Sequence, residues 1–179
     1  DLPGENTAGL SGQAISRLPL ETCQTMNGMW GYKITDQNYK SVGTLVQYLV
    51  GAAGRGANLL LNIGPQPDGA LPAAAVERLK GIGEWLRANG ETVYGTEAGP
   101  VAPRDWGVTT RKGDKIYLHV LNWPDEELFV PVTGEKVVRA ARFADGGRLT
   151  FRQDDAGVTV RLGERDAEAP DFIVELTVR

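Results

Sequence analysis

The first half of the chain alternates between hydrophobic periods typical of strands and of helices. A strand-like run covers 18–26, and after Ser41 the apolar residues recur at spacings of three and one, the stripe of a helical face. Residues 57–63 are apolar almost throughout, which predicts a parallel strand buried on both faces. Pro72 suits the first turn of a second helix, and Gly90 predicts its end. The order β-α-β-α predicts a parallel sheet with right-handed crossovers.

After about Gly99 the hydrophobic period changes to two. Short alternating runs are separated by turn sequences such as Lys112-Gly113-Asp114, and seven such runs with close turns predict a small antiparallel β-sandwich. The runs cover 106–111, 115–122, 128–132, 136–143, 149–153, 158–162 and 172–178. We therefore predict an α/β region at 1–98 followed by an all-β domain at 99–179.

Two strand–helix units are too few to form a fold of their own. Two parallel strands leave two long open edges, whereas a complete (β/α)8 barrel needs about 250 residues. We therefore expect 1–98 to be the last strand–helix units of a (β/α)8-like barrel, with the rest on another part of the protein. The chain begins with Asp1 in a polar, turn-rich stretch, and we expect it to be a piece of a longer protein whose localisation signals lie elsewhere.

Composition narrows the function classes. The chain has 179 residues, of which 41% are hydrophobic and 23% charged, and this balance is not that of a disordered or membrane-spanning chain. With 19 basic and 23 acidic residues it shows no basic patch for a nucleic acid. One Cys and one His exclude an internal disulfide and are too few for a zinc site, so we expect no cofactor.

Candidate chemistry follows from where α/β folds place their working groups, at the carboxyl ends of strands and in the loops behind them. This rule selects Glu5 in the first loop, Glu21 in the first strand, Trp30 in the loop behind it, and Asn62 at the end of the second strand. Carboxylates can move protons and face an oxocarbenium-like charge, while an aromatic ring covers the apolar side of a pyranose. The set therefore favours a sugar site.

Three strings in this region resemble the C-terminal half of the α-L-fucosidases of glycoside hydrolase family 29. They are LPLETCQTMNGMWGYK, GANLLLNIGPQPDG and ERLKGIGEWLRANGETVYGT, in the family's order and with its gaps. Two positions depart from the family pattern: Leu20 stands where a Trp is usual, and Ala57 where a Gly is usual. Neither change removes a chemical group, although the first can reshape the pocket wall.

The resemblance implies a retaining exo-α-L-fucosidase that hydrolyses terminal α-L-fucose from glycans or glycoconjugates. It implies a nucleophilic Asp upstream of this chain, supplied by the missing N-terminal part of the same enzyme. Family members carry the general acid/base in a loop before the W-E motif, which corresponds to Glu5, or at the Glu of that motif, which corresponds to Glu21. We place the role on Glu5, since a loop carboxyl reaches the pocket mouth more easily, and keep Glu21 as the alternative. The aromatic at the position of Trp30 lines the family's pocket near the methyl edge of fucose.

Other interpretations stay open. Glu21 can be paired structurally, Trp30 can be a core residue, and Asn62 can satisfy backbone groups rather than touch a substrate. His119, in an alternating strand of the second half, is interpreted as structural. The alternative function is a non-catalytic carbohydrate-binding or accessory module. A serine hydrolase is disfavoured, because the sequence has no Gly-x-Ser-x-Gly.

Overall fold

The structure is a computed structural model that describes residues 20–123, 125–164 and 168–179. Its first part alternates strands and helices in the predicted order. The elements are β1 (Leu20–Thr25), α1 (Val42–Ala53), β2 (Ala57–Asn62) and α2 (Ala73–Asn89), and a single 3-10 turn (Gly90–Thr92) follows α2.

The two strands pair in parallel, as predicted. Leu20 lies opposite Ala57 and Thr25 opposite Asn62, so both strands end at the same level. The Ser41 side chain accepts a hydrogen bond from the Thr44 backbone N–H at 3.1 Å and caps α1 as expected. Pro72 is the residue before α2 rather than part of its first turn, a difference of one position.

Within the described residues, helices cover one face of the strand pair and leave the other open. Met26, Leu45, Val46 and Val50 form a buried cluster there with side chains of α2. On the opposite face Leu60 is 51% exposed. The prediction that 57–63 is buried on both faces is therefore wrong for the described part of the chain, since its two strands have helices on one side only.

The second part of the chain forms two antiparallel sheets. Their strands are β3 (Glu97–Ala98), β4 (Gly107–Lys112), β5 (Lys115–Val120), β6 (Glu127–Val130), β7 (Val137–Arg142), β8 (Phe151–Asp154), β9 (Gly157–Arg161) and β10 (Phe172–Val178). One sheet has the order β3-β4-β5-β10-β7, and the other has the order β6-β9-β8.

The two sheets face each other across one hydrophobic core, the predicted sandwich. Ile116 and Leu118 of β5 and Val174 of β10 meet Val130 of β6 and Val160 of β9 in this core. All seven predicted strands are present, and each begins and ends within two residues of its expected ends. The short β3 was not predicted, because two residues cannot display an alternation; it adds the end of the first region to the five-stranded sheet.

The outer face of the five-stranded sheet packs against the helices. Val108 of β4 belongs to the helix cluster and lies against Gly54, where a Cβ would overlap its side chain. The hydroxyl of Thr110 donates to the Thr92 carbonyl at 2.7 Å and contacts His119 Nε2 at 3.1 Å. His119 Nδ1 lies 2.7 Å from Asp171 Oδ2, and both side chains are fully buried. His119 therefore sits in the contact between the two parts, in keeping with its structural interpretation.

A carboxylate at the rim strengthens this contact. Glu91 Oε1 accepts hydrogen bonds from Lys115 Nζ at 2.8 Å and from the Tyr117 hydroxyl at 2.9 Å. These two donors hold the pKa of Glu91 below its ordinary value, and burial raises the pKa of Tyr117. Glu91 is thus an anion at neutral pH that ties the turn after α2 to β5.

The close approach of α1 and α2 yields a test with a built-in control. A Cβ at Gly81 would lie 2.6 Å from Val42 Cγ2, whereas a Cβ at Gly83 meets nothing within 4 Å. Gly81→Ala should destabilise the protein by about 1–3 kcal/mol through overpacking. Gly83→Ala, in the same helix, should stabilise it by about 0.5–1 kcal/mol. Urea unfolding of both variants measures the difference; equal effects would contradict the helix contact.

Candidate functional site

The candidate site lies at the edge where β1 and β2 end together. The loop behind β1 carries Trp30, and Asn62 is the last residue of β2. Asn62 Nδ2 donates to the main-chain carbonyl of Trp30 at 2.7 Å, across 32 residues of sequence. Asn62 therefore satisfies a backbone carbonyl, the interpretation that the sequence analysis left open beside a substrate contact.

Lys40 holds the start of the same loop through its side chain and its backbone. Its ammonium donates to the carbonyl oxygens of Thr25 at 2.6 Å and Asn27 at 3.2 Å, and its backbone N–H donates to Met26 at 2.8 Å. Burial lowers the pKa of Lys40, while the charge of Asp36 opposes that change. The ammonium thus provides hydrogen bonds to carbonyls at the end of β1 and in the loop behind it.

The two loops also touch through their backbones. A Cβ at Gly64 would lie 2.5 Å from the carbonyl carbon of Gly31 and 2.5 Å from the amide nitrogen of Tyr32. Gly64 does not have a positive φ, so glycine is required there by space rather than by conformation. The contact holds the loop behind β2 against the segment that follows Trp30.

Trp30 is 46% exposed, and its neighbours Met29 and Tyr32 are exposed as well. Among the described residues it is therefore not a core side chain, and the alternative interpretation of Trp30 as core is wrong for this part of the protein. An exposed indole beside two strand ends can offer an apolar face to a ligand.

Glu21 does not share this edge. It lies four positions before Thr25, which is roughly 13 Å along the strand, and opposite Asn58 near the start of β2. Glu21 instead lines a cavity of about 1050 Å³ with Asn58, Tyr94 and Glu97. The structure thus brings Trp30 and Asn62 together and leaves Glu21 near the other end of the strands; Glu5 lies outside the described residues.

Two contributors to the site were not foreseen. Lys40 has no distinctive spacing to a motif, and its three oxygen partners come together only once the loop is folded. Gly64 stands inside a motif that was recognised, but a close backbone approach leaves no periodic signal.

In the part of the chain that the structure describes, no group of three or more His, Cys, Asp or Glu could hold a metal ion. No helix there is both long and apolar enough to cross a bilayer.

A family model and curated relatives both relate this chain to alpha-L-fucosidases. A sequence model of the family described as alpha-L-fucosidase matches residues 6–91. The plasma alpha-L-fucosidase of Rattus norvegicus is 36% identical over 154 residues, which are 79% of this chain and 34% of that protein. The chain thus spans about a third of the length of this curated relative.

Solved structures of fucosidases resemble the fold. One is a family 29 alpha-L-fucosidase from Bacteroides thetaiotaomicron, crystallised as a trapped covalent intermediate. It is 26% identical with a TM-score of 0.84, and the match covers 100% of this chain and 41% of that one. Alpha-L-fucosidase isoenzyme 1 from Paenibacillus thiaminolyticus is 30% identical with a TM-score of 0.79, and the match covers 90% of this chain and 40% of that one.

The loop contact can be tested with two alanine substitutions at its two glycines. Gly64→Ala should destabilise the protein by about 1–3 kcal/mol, because its Cβ meets backbone atoms that cannot rotate away. Gly31→Ala should change stability by less than about 0.5 kcal/mol, since a Cβ there meets nothing within 4 Å. Thermal unfolding of the two variants checks this, and a stable Gly64→Ala protein would contradict the contact.

Proposed function

Because this chain belongs to the α-L-fucosidase family, we propose that it is the C-terminal part of a retaining exo-α-L-fucosidase. The substrate is a terminal α-L-fucose on a glycan or glycoconjugate. The observation that carries the proposal is a sequence and structural match that extends across both halves of the chain, while covering 41% or less of the fucosidases quoted above.

In this proposal residues 1–98 are the closing strand–helix units of a (β/α)8-like catalytic barrel, and 99–179 are its C-terminal β-sandwich domain. Within the described residues β1 pairs only with β2, which leaves one edge of each strand open. The face away from the helices carries the rows Cys23–Leu60 and Thr25–Asn62. The preceding part of the same enzyme would supply the strands that pair with these edges and cover this face.

The substrate site then lies at the edge where Trp30 and Asn62 meet, because barrel enzymes work at the carboxyl ends of their strands. The exposed indole of Trp30 would cover the apolar methyl edge of fucose. A retaining glycosidase needs two carboxyl groups about 5–5.5 Å apart, one as nucleophile and one as acid and base. The nucleophilic Asp belongs to the preceding part of the enzyme.

Glu5 is the proposed acid/base. It would protonate the leaving oxygen as the nucleophile attacks the anomeric carbon, and then take a proton from the water that hydrolyses the fucosyl-enzyme. The position of Glu21, roughly 13 Å from the strand end, supports Glu5 over Glu21 for this role. The covalent intermediate trapped in the Bacteroides relative supports the two-step course.

The function is tested on the complete enzyme with aryl α-L-fucosides of graded leaving-group ability. Glu5→Gln should lower kcat/KM for a poor leaving group by about 10²–10⁴-fold and affect an activated one far less, because only the poor one needs a proton. Glu21→Gln serves as the matched control and should show no such dependence.

Three results would overturn parts of this proposal. Activity of the complete wild-type enzyme on another glycoside but not on α-L-fucosides would reject the substrate. A leaving-group dependence in Glu21→Gln instead of Glu5→Gln would move the acid role to Glu21. Saccharide binding by the 179-residue chain alone, unchanged by Glu5→Gln, in a protein without hydrolytic activity would favour an accessory binding module.

A further inference from the structure

We propose that Asn62 is a positioning residue, which sets the place of the Trp30 indole through the Trp30 main chain rather than by touching the sugar. The inference rests on the proposed function, since it assigns Trp30 to the fucose pocket. Its structural basis is the hydrogen bond from Asn62 Nδ2 to the Trp30 carbonyl at 2.7 Å.

The strand register explains why Asn62 can do this. Asn62 pairs with Thr25 in the last row of the parallel pair, so its side chain stands at the edge from which the loop behind β1 leaves. The bond joins residues that are 32 positions apart, and therefore links the loop to a neighbouring strand rather than to itself. The carbonyl of Trp30 receives a fixed partner, and a single methylene group joins the indole to that backbone.

The rest of the loop is anchored independently. Lys40 holds the carbonyls of Thr25 and Asn27, and Asp36 accepts from the backbone N–H of Gly28 at 2.9 Å. These bonds stay in place when Asn62 is changed. Loss of the Asn62 amide should therefore release the Trp30 end of the loop and leave its beginning where it is.

The expected consequence is a change in binding rather than in proton transfer. Contact between an aromatic ring and a methyl edge depends on many weak dispersion contacts, which fall off when the ring moves by less than an ångström. A displaced indole should raise KM and reduce the preference for a substrate that carries the methyl group. The leaving-group dependence assigned to Glu5 should not change.

A double-mutant cycle in the complete enzyme tests the assignment. The variants are Asn62→Ala, Trp30→Ala and the double variant, with Asn58→Ala as control, since Asn58 is on the same strand near its other end. The two substrates are an aryl α-L-fucoside and the matching pyranoside with hydrogen in place of the C5 methyl. Asn62→Ala should raise KM for the fucoside about 3–10-fold, the loss of one hydrogen bond, and lower the methyl preference.

In the Trp30→Ala background the same Asn62→Ala change should have almost no further effect on KM, because its target is gone. Additive effects would show that Asn62 acts on the substrate independently, and would overturn the proposal. An unchanged methyl preference in Asn62→Ala would also overturn it. Asn58→Ala should behave as wild type in both substrates.

A second measurement does not depend on fucosidase activity. With 5-fluorotryptophan incorporated, Trp30→Phe identifies the fluorine NMR line of Trp30, and Asn62→Ala should shift or broaden that line. The lines of Trp106 and Trp123, which lie in or against the sandwich core, should keep their wild-type chemical shifts and widths. An unmoved Trp30 line would reject the positioning role even in an active enzyme. If Asn62→Ala moves the Trp30 line but the wild-type enzyme does not hydrolyse fucosides, the proposed substrate is wrong and the role of Asn62 in holding the Trp30 main chain stands.

Discussion

The parallel pairing of β1 and β2 in a single register is the constraint on which the site depends. Because Thr25 and Asn62 end their strands at the same level, the two following loops start side by side. The Asn62 amide and the space beside Gly64 then determine how these loops meet, while the Lys40 ammonium holds the start of the first loop. A shift of two residues in the register would carry Asn62 about 7 Å along the strand and break both its bond to Trp30 and the contact at Gly64.

The strand pair could not be held by its own hydrogen bonds, since two strands are marginal alone in water. Its stability comes from the helices on one face and, behind them, from the five-stranded sheet. Thr110 of that sheet, which also contacts the buried His119, and the rim carboxylate of Glu91 connect the sheet to the turn after α2. The sandwich thus supports the helices on the side away from the strands, and the opposite face of the strands is not covered by helices among the described residues.

Local sequence patterns determined much of this fold. The start of α1 follows from Ser41, whose side chain caps the first turn, and its end from Gly54 and Gly56, since the positive φ of Gly56 takes the backbone out of the helical path. The sandwich strands were predictable because a strand with one buried and one exposed face alternates apolar and polar residues with a period of two. β2 was predicted as buried on both sides, since an apolar run does not say how many neighbouring strands are present to cover it.

The site was predictable only in part. The rule that working groups follow strand ends selected Trp30 and Asn62, which the structure brings together. The same rule selected Glu21 as a strand residue, but Glu21 is the second residue of β1 and therefore lies near the other end of the strands from these loops. Lys40 acts through backbone carbonyls, which every residue has, so no pattern of side chains could reveal it.

We propose that this chain contributes the proton-transferring carboxyl and part of the pocket, while the nucleophile lies elsewhere in the enzyme. The most direct measurement treats the complete enzyme with 2-fluoro-fucosyl fluoride, the reagent used with the Bacteroides relative, and maps the attached sugar by peptide mass spectrometry. The account predicts a label on an Asp outside residues 1–179. A label on Glu5, Glu21 or another carboxylate of this chain would contradict it.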